Sequence, residues 1–309
     1  MTADSGERVG WLGTGRMGTA LAGRLIDAGA QVSMWNRTLS KIAPLVARGG
    51  VAVDTIAQLA SCDVVFVCVS ASNDLEDVTL GLGGLLTGST RPRLIVDCST
   101  VSAEVSTVVR AAAEKVEVGF LASPVSGNPR VVAAGAACLV VSGPEQSYHE
   151  ALPYLRLLAK TVVYAGDGEQ SRLVKLCHNL YLGMMVEALV EVTTLAEKGG
   201  TPREAFLEFL NGTVVGSDWV RNRTDDLVAR DWTPTFTTKL LCKDFDLGLG
   251  AAHALQVPMP IAASVHQLIQ TAIGYGLSDQ DFLSLYEPQA RRAALPSHEA
   301  TSAVNAPTN

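Results

Sequence analysis

The chain has 309 residues, of which 48% are hydrophobic and 18% charged, a composition typical of a globular protein large enough for two domains. Its formal net charge of −7 excludes a general nucleic-acid-binding protein, because neutralising phosphates requires a clustered excess of Lys and Arg. No run of about eighteen uninterrupted apolar residues occurs. Residues 1–7 also lack the basic start and apolar centre of a signal peptide. We therefore expect a cytoplasmic protein that binds neither nucleic acid nor a membrane.

The cysteines are scattered along the chain and several lie within apolar runs. No CxxC pair and no histidine cluster stands at the spacing of metal ligands, so the sequence predicts no metal site. We expect reduced and mostly buried thiols. The six cysteines are Cys62, Cys68, Cys98, Cys138, Cys177 and Cys242.

Short apolar, β-branched runs alternate with helical stretches through the first half of the chain. This rhythm is typical of βαβ units that build a parallel sheet. Several runs are apolar throughout, as expected for strands covered by helices on both faces. The sequence therefore predicts a doubly wound, mainly parallel α/β Rossmann domain. Its predicted strands are Val9–Leu12, Val32–Trp35, Val64–Val69, Leu94–Asp97 and Leu139–Val141.

The second half of the chain has helical periodicity. A segment from about Glu169 to Lys198 runs without proline until Gly199 and Gly200, which predicts one long interdomain helix. Further helices are expected to about Tyr286, so the second domain should be all-α. The predicted limits are 1–167 for the Rossmann domain, 168–198 for the interdomain helix and 199–290 for the all-α domain. Residues 291–309 are expected to form a disordered tail, because they have no periodicity.

A glycine-rich turn follows the first predicted strand and opens a helix. The pattern Gly13-x-Gly15-x-x-Gly18 therefore has the strand-turn-helix context that a dinucleotide-binding fingerprint needs. The helix N-terminus offers N–H groups and a positive dipole end to the phosphates. We expect Gly13, Gly15, Arg16, Met17 and Gly18 to bind the cofactor. The alternative is a glycine turn that binds nothing.

The end of the second predicted strand selects the cofactor. A carboxylate there would accept hydrogen bonds from the ribose 2′-hydroxyl of NAD(H). This chain instead has Asn36, Arg37 and Thr38. The guanidinium of Arg37 can pair with a 2′-phosphate while Asn36 and Thr38 donate hydrogen bonds, which favours NADP(H). The alternative is that Arg37 is a solvated loop charge.

Four motifs in order resemble those of the β-hydroxyacid dehydrogenase family, which includes the 3-hydroxyisobutyrate, tartronate-semialdehyde and 6-phosphogluconate enzymes. The resemblance covers nearly the whole chain to about Tyr286. After the glycine turn come Ser123–Gly127, then Lys175–Asn179, then Lys243-Asp244 followed by Val257-Pro258. The combination of these motifs is more specific than any one of them.

The third motif places Lys175, His178 and Asn179 at i, i+3 and i+4 of a helix, where their side chains share one face. Hydride transfer to a carbonyl leaves an oxyanion that must be protonated, and an ammonium can supply that proton. The resemblance implies that Lys175 is the catalytic acid/base. The alternative is an ordinary surface lysine.

The resemblance also implies a substrate site. Ser126 and the backbone of Gly127 would hold the substrate carboxylate from one side and Asn179 from the other. His178 would hydrogen-bond the reacting oxygen or a substrate anion, or serve as a structural histidine.

Further cofactor contacts are expected where strands end, because open α/β sheets bind ligands at that edge. Val69, Ser70, Ala71 and Thr100 should contact the nicotinamide half, unless they only cap local structure. The resemblance adds Lys243 near the nicotinamide and leaves Asp244 as structural.

Two departures from the family pattern place the substrate in doubt. His178 stands where most members acting on small hydroxy acids have Asn. The resulting Lys-x-x-His-Asn pattern resembles that of the 6-phosphogluconate enzyme. That enzyme has a glutamate seven residues after its lysine, where this chain has Leu182, so oxidative decarboxylation is not expected. Asn128-Pro129-Arg130 replaces a second glycine, and Arg130 is either an additional anion contact or a solvent-exposed charge.

The sequence therefore predicts an NADP(H)-dependent oxidoreductase. It would interconvert a small oxo acid, or an analogous anion such as an oxo phosphonate, and its hydroxy form. The alternatives are an imine reductase and a catalytically silent NADP(H)-binding protein. The resemblance also implies a homodimer formed through the helical domain.

Overall fold

The computed structural model describes residues 6–296. The chain divides into two compact units, one extending to Leu176 and the other beginning at Cys177. The first is an α/β unit and the second a helical unit. The predicted fold class is confirmed.

A six-stranded parallel sheet forms the centre of the α/β unit, in the order β3-β2-β1-β4-β5-β6. This is the strand order of a dinucleotide-binding Rossmann sheet. The strands are β1 Val9–Leu12, β2 Val32–Trp35, β3 Val51–Ala52, β4 Val64–Val67, β5 Leu94–Asp97 and β6 Gly119–Ala122.

Helices cover both faces of this sheet, which explains its continuous apolar strands. Residues alternate between two hydrophobic clusters: Trp11 and Phe66 belong to one, whereas Leu12 and Val65 belong to the other. Every residue of β1, β4 and β5 is buried as a result. The helices are α1 Arg16–Asp27, α2 Ala43–Val46, α3 Ile56–Leu59, α4 Ser72–Leu80 and α5 Ala103–Glu114.

A smaller three-stranded sheet completes the α/β unit. Strand β7 (Val125–Ser126) pairs antiparallel with β8 (Cys138–Val141), which pairs parallel with β9 (Thr161–Tyr164). Helices α6 (Pro129–Ala133) and α7 (Glu145–Leu158) lie between these strands in sequence.

The helical unit begins within α8, which spans Gln170–Lys198 as the sequence predicts. Its core includes Phe245 and Tyr286, and a buried ion pair between Arg223 and Asp281 (2.8 Å) joins two of its segments. The remaining helices are α9 Arg203–Gly212, α10 Asp218–Ala229, α11 Thr238–Ala254, α12 Pro260–Gly274 and α13 Tyr286–Arg292, with a 3₁₀ turn at Phe282–Leu285.

The structure differs from the predicted boundaries at two places. Strand β4 ends at Val67, two residues before its predicted end, because Val69 turns to donate its N–H to Ser99. Past the predicted limit of 290, helix α13 continues to Arg292 and Leu295 packs against the helical core. The rest of the expected disordered tail, 297–309, lies outside the described residues, and the domain limits stay a prediction.

Among the described residues, 6–296, helix α8 is long enough and apolar enough to cross a membrane, judged by its length and composition alone. Half of its most apolar stretch is nevertheless buried inside the structure. Buried core helices meet the same two criteria, so this finding is weak evidence for a membrane span.

Glu187 is a buried carboxyl group on α8. Its side chain is 4% exposed, and no described residue hydrogen-bonds its Oε2 atom. Burial, with a smaller effect of the Glu191 carboxylate, raises the pKa of Glu187 to about 7, although Arg292 opposes the shift. The folded state therefore holds a proton that the unfolded state releases near the ordinary glutamate pKa of 4.5. The contribution of this proton to stability is present below that pH and is lost as the pH rises through 7.

Glu187→Gln should raise the free energy of unfolding at pH 8 by a few kcal/mol, since it removes a buried carboxylate whose Oε2 no described residue hydrogen-bonds. At pH 5 the variant and the unmodified protein should have nearly equal stability. Denaturant unfolding at both values measures the difference, with the exposed Glu208→Gln as control. An equal effect of Glu187→Gln at pH 5 and pH 8 would contradict the raised pKa.

Candidate active site

The three glycines of the turn after β1 have different surroundings. Gly13 has a φ of +93°, and a Cβ atom there would lie 2.2 Å from the carbonyl oxygen of Cys68. A Cβ on Gly18 would lie 2.0 Å from the carbonyl oxygen of Gly13, so both positions exclude a side chain. At Gly15 an added Cβ would meet nothing within 4 Å. Packing within the protein thus explains Gly13 and Gly18, whereas Gly15 leaves space for a group from outside.

Helix α1 starts directly at this space. Its N-cap residue, Gly15, provides no side-chain hydrogen bond, and its first turn contains no acidic residue. The positive end of the helix dipole is therefore not neutralised by the helix's own side chains. Arg16 is exposed and Met17 half-buried at this end. These residues fit the diphosphate of a dinucleotide.

Asn36, at the end of β2, supports the glycine turn. Its Oδ1 accepts a hydrogen bond from the N–H of Thr14 (2.9 Å), and its Nδ2 donates to the carbonyl of Thr38 (2.9 Å). The sequence predicted a direct contact with a phosphate. In the structure the amide holds the two loops together, and its contact with the cofactor stays a prediction.

Arg37 projects into solvent beside the same loop. Its side chain is 85% exposed, and its Nη1 lies 3.4 Å from Oδ1 of Asp74 in the first turn of α4. Exposed ion pairs of this kind contribute about 0.2–1 kcal/mol, so a dianion could displace Asp74 at little cost. Thr38, the next residue, is also exposed.

The ends of β4 and β5 are joined by side-chain hydrogen bonds. Ser99, a buried residue that sequence reasoning missed, accepts from the N–H of Val69 (2.8 Å). Its own N–H donates to Oδ1 of Asp97 (3.0 Å). Beside these bonds, Ser70 and Ala71 are exposed and Thr100 is half-buried. The predicted nicotinamide contacts therefore lie at one edge of the sheet.

A buried ion pair fixes the start of α8 to this edge. Arg172 is 1% exposed, and its Nη2 lies 2.5 Å from Oδ2 of the fully buried Asp97. The same guanidinium donates to the carbonyl of Ser99 (2.6 Å) and to Oγ of Ser106 (3.1 Å). The sequence carried a signal for this contact, since Asp97 is a charge at the end of an otherwise apolar strand.

Two further contacts hold the first turn of α8. The hydroxyl of Ser171 donates to the carbonyl of Ala122 (3.0 Å) and lies 2.7 Å from Oγ of Ser142. In the preceding turn, Arg110 pairs with Glu169 (2.7 Å). The helix is therefore anchored to β6, to the segment after β8 and to α5, immediately before Lys175.

Lys175 is buried, with 8% of the residue exposed. Burial raises the pKa of the Cys138 thiol, and the charge of Lys175 opposes that shift. Ser126 is directly opposite Cys138 in the antiparallel ladder. Opposite residues in such a ladder share a face, so Ser126 lies beside Cys138, the thiol on which the charge of Lys175 acts. The shared site of Ser126 and Lys175 stays a prediction.

The residues after Ser126 form a helix start. Gly127 has a φ of +133°, and a Cβ there would lie 2.9 Å from the side chain of Val131. Asn128 caps α6 by accepting from the N–H of Val131 (3.0 Å), and Pro129 occupies the first helical turn. The departure from the family pattern thus has a structural explanation. Arg130 is exposed.

In the helical unit, His178 and Asn179 form a chain of polar contacts with α11. Asn179 is buried, and its Nδ2 donates to Oδ2 of the buried Asp244. Asp244 in turn lies 3.3 Å from Nζ of Lys243 through its other oxygen. Asp244, which was expected to be structural, therefore joins α11 to α8.

The same contacts orient the ring of His178. Nδ2 of Asn179 faces the carboxylate of Asp244, so the other amide atom, Oδ1, faces His178. Oδ1 lies 2.8 Å from Nδ1 of His178, and because an amide oxygen can only accept, Nδ1 donates the hydrogen bond. Nε2 then carries the lone pair of the neutral ring. His178 is exposed whereas Lys175 and Asn179 are buried. At about 100° per residue, positions i+3 and i+4 flank position i within an arc of about 100°, so the three residues lie on one side of the helix but differ in exposure.

Comparison with known proteins identifies both halves of the chain. Residues 8–166 match the family model described as the NAD binding domain of 6-phosphogluconate dehydrogenase. Residues 169–289 match the model described as NAD-binding of NADP-dependent 3-hydroxyisobutyrate dehydrogenase.

Two named relatives cover most of the chain. Glyoxylate/succinic semialdehyde reductase 2, chloroplastic, of Arabidopsis thaliana is 30% identical over 280 residues, which are 90% of this chain and 78% of the relative. Cytokine-like nuclear factor N-PAC of Homo sapiens is 29% identical over 283 residues, or 91% of this chain. The chain spans about half (51%) of the length of that second relative.

Solved structures share the fold. A 3-hydroxyisobutyrate dehydrogenase from Salmonella typhimurium has a TM-score of 0.81 at 24% identity, covering 91% of this chain and 99% of its own. Psf3 in complex with NADP+ and 2-OPP has a TM-score of 0.82 at 22% identity, and the match covers 91% of this chain and 99% of that chain. An imine reductase from Pseudomonas sp. has a TM-score of 0.59 at 21% identity, and the match covers 91% of this chain and 98% of that chain.

The Rossmann sheet, the glycine turn and the two matched models define an NAD(P)-binding oxidoreductase. Within that class, the chain belongs to the β-hydroxyacid dehydrogenase family.

Gly15→Ala should keep the fold and weaken dinucleotide binding by about tenfold or more, since a methyl group would fill the space where the diphosphate meets the backbone. Fluorescence titration with NADPH and a thermal unfolding curve provide the two readouts. Gly250→Ala, which also meets nothing within 4 Å, is the matched control. Unchanged NADPH affinity in Gly15→Ala would show that the diphosphate does not approach this residue.

Proposed function

We propose that the protein is an NADP(H)-dependent oxidoreductase that interconverts a small oxo acid, or an analogous anion such as an oxo phosphonate, and its hydroxy form. The observation that carries this proposal is the buried Lys175, one turn after the anchored start of α8 and close to the β7–β8 ladder that holds Ser126. A buried ammonium near neutral hydrogen-bond donors suits an anionic substrate whose oxygen must gain or lose a proton.

Each residue then has a distinct task. When bound, NADPH supplies a hydride to the carbonyl carbon. The ammonium of Lys175 donates a proton to the carbonyl oxygen, which becomes the hydroxyl, and the neutral amine takes that proton back in the reverse direction. Ser126 and the N–H of Gly127 hold the carboxylate with neutral donors. Asp244 keeps the amide of Asn179 oriented, and Asn179 orients His178.

Three features support NADP(H) as the cofactor. The end of β2 carries Asn36 and Arg37 instead of a carboxylate, the ion pair of Arg37 with Asp74 is exposed and weak, and a structural neighbour was solved with NADP+. A guanidinium pairs well with a phosphate dianion. Thr38, exposed beside it, adds a hydroxyl donor.

We further propose a cytoplasmic homodimer that pairs through the helical unit, with no nucleic-acid or membrane partner. Support comes from apolar side chains that this unit exposes, since large exposed apolar groups are typical of interaction surfaces. A mass of 32.5 kDa by sedimentation at micromolar concentration would contradict the dimer. These side chains are Tyr181, Leu195, Phe209, Val214 and Val215.

Lys175→Ala should abolish NADPH oxidation with the best substrate and change NADPH affinity only a few-fold, because Lys175 acts on the substrate oxygen. The assay follows absorbance at 340 nm with a panel of oxo acids, oxo phosphonates and cyclic imines. The exposed Lys160→Ala is the matched control. Full turnover in Lys175→Ala would exclude this residue as the acid/base.

The same panel separates the competing functions. Turnover of imines without turnover of any acid would identify an imine reductase, the function of one structural neighbour. Tight NADPH binding without turnover of any compound would instead identify a silent binding protein.

Arg37→Ala should raise the dissociation constant for NADPH much more than that for NADH, because only the former carries the 2′-phosphate that the guanidinium would bind. Titration of both cofactors measures this difference, with the nearby exposed Lys41→Ala as control. Equal losses for both cofactors would mean that Arg37 makes no contact with the 2′-phosphate.

A further inference from the structure

Three side chains of different chemistry meet between α11 and α12 of the helical unit. Cys242 and Asp246 stand one turn apart on α11, and His266 lies on α12. The Cys242 sulfur is 3.7 Å from Nε2 of His266, and that same nitrogen is 2.8 Å from Oδ1 of Asp246. All three ligand atoms lie within 4.8 Å of one another.

Hydrogen bonding satisfies this convergence only weakly. The thiol and the carboxylate both face Nε2 of His266, and an imidazole nitrogen holds one hydrogen at most. A hydrogen that serves Asp246 reaches the sulfur only as a weak acceptor at 3.7 Å, and the nitrogen then offers no lone pair to the thiol hydrogen. A cation between the three atoms would satisfy the sulfur, the nitrogen and the oxygen together.

The sulfur–nitrogen distance agrees with tetrahedral metal ligation. Bonds of about 2.3 Å to sulfur and 2.0 Å to nitrogen place these two ligand atoms roughly 3.5 Å apart. The observed separation of Cys242 Sγ and His266 Nε2 is 3.7 Å. The nitrogen and carboxylate oxygen would move from 2.8 Å to roughly 3.3 Å, a shift that the Asp246 side chain, 60% exposed, can make without disturbing the core.

The ligand set identifies the class of metal. One thiolate, one imidazole and one carboxylate suit a borderline-soft ion such as Zn²⁺ and do not suit the hard, oxygen-preferring Mg²⁺ or Ca²⁺. A thiolate and a carboxylate also neutralise the charge of a divalent ion. The His266 ring lies nearly parallel to that of the buried Phe245 (14°), which restricts its orientation.

We propose that Cys242, Asp246 and His266 bind a divalent transition-metal ion of the zinc class, with water in the fourth coordination position. The ion links α11 to α12 and stabilises the helical unit. Helix α11 also carries Lys243 and Asp244, so metal binding restrains the helix that holds Asn179 in place. This site does not depend on the proposed oxidoreductase activity.

Cobalt(II) is the probe for this site, because a bound thiolate produces a near-ultraviolet charge-transfer band and tetrahedral ligation intensifies the visible bands. Untagged full-length protein, stripped with a chelator, should develop both bands at stoichiometric Co²⁺ and lose them on addition of Zn²⁺. Zn²⁺ should also raise the melting temperature. Absence of the charge-transfer band in excess Co²⁺ would overturn the proposal.

Substitutions of the three proposed metal ligands test each of them separately. Cys242→Ser should remove the charge-transfer band, and Asp246→Asn, at an exposed position that leaves folding intact, should weaken Co²⁺ binding by about tenfold or more. His266→Gln should weaken it further. Cys177→Ser is the matched control, since it removes the exposed thiol of the helical unit. A band that persists in Cys242→Ser, or that Cys177→Ser removes, would overturn the proposal.

Discussion

Arg172 and Asp97 form an ion pair that is almost completely withdrawn from water, and the position of helix α8 in the α/β unit depends on it. Removing one partner of such a pair costs about 3–5 kcal/mol, because the other charge stays buried without compensation. The guanidinium also binds the carbonyl of Ser99, whose hydroxyl orders the residues after β4. One side chain therefore sets both the sheet edge at which cofactors bind and the helix from which Lys175 projects.

The buried polar groups of α8 fix the orientation of side chains along an otherwise apolar helix. Arg172 and Asn179 are buried with charged or polar partners, so each is held in one orientation. Glu187 differs, because no described residue bonds its Oε2 and burial raises its pKa to about 7. The ordered polar contacts of the helix thus lie near Lys175, and a buried carboxyl group with an unbonded Oε2 among the described residues lies further along. Stability at neutral pH is lower for that reason.

Much of the fold was predictable because buried parallel strands are apolar throughout. Strands β1, β2 and β5 were predicted to the residue, whereas two-residue strands such as β3 and β7 are too short to show a pattern. Helix α8 was predicted because its proline-free run ends at paired glycines. The departure at Asn128-Pro129 could have been predicted as a helix start, since Asn at the N-cap and Pro in the first turn are its ordinary signals.

The sequence by itself determined the family, the dinucleotide fold and the identity of the acid/base candidate, because these depend on motifs whose residues lie close together in the chain. Only the tertiary structure decided what those residues touch. Asn36 holds two loops together, and Asp244 orients Asn179. Cys242, Asp246 and His266 come together although the sequence predicted no metal site. The physical reason is separation along the chain. Asp97 and Arg172, or Cys242 and His266, carry no shared local pattern, and packing of distant elements alone brings them together.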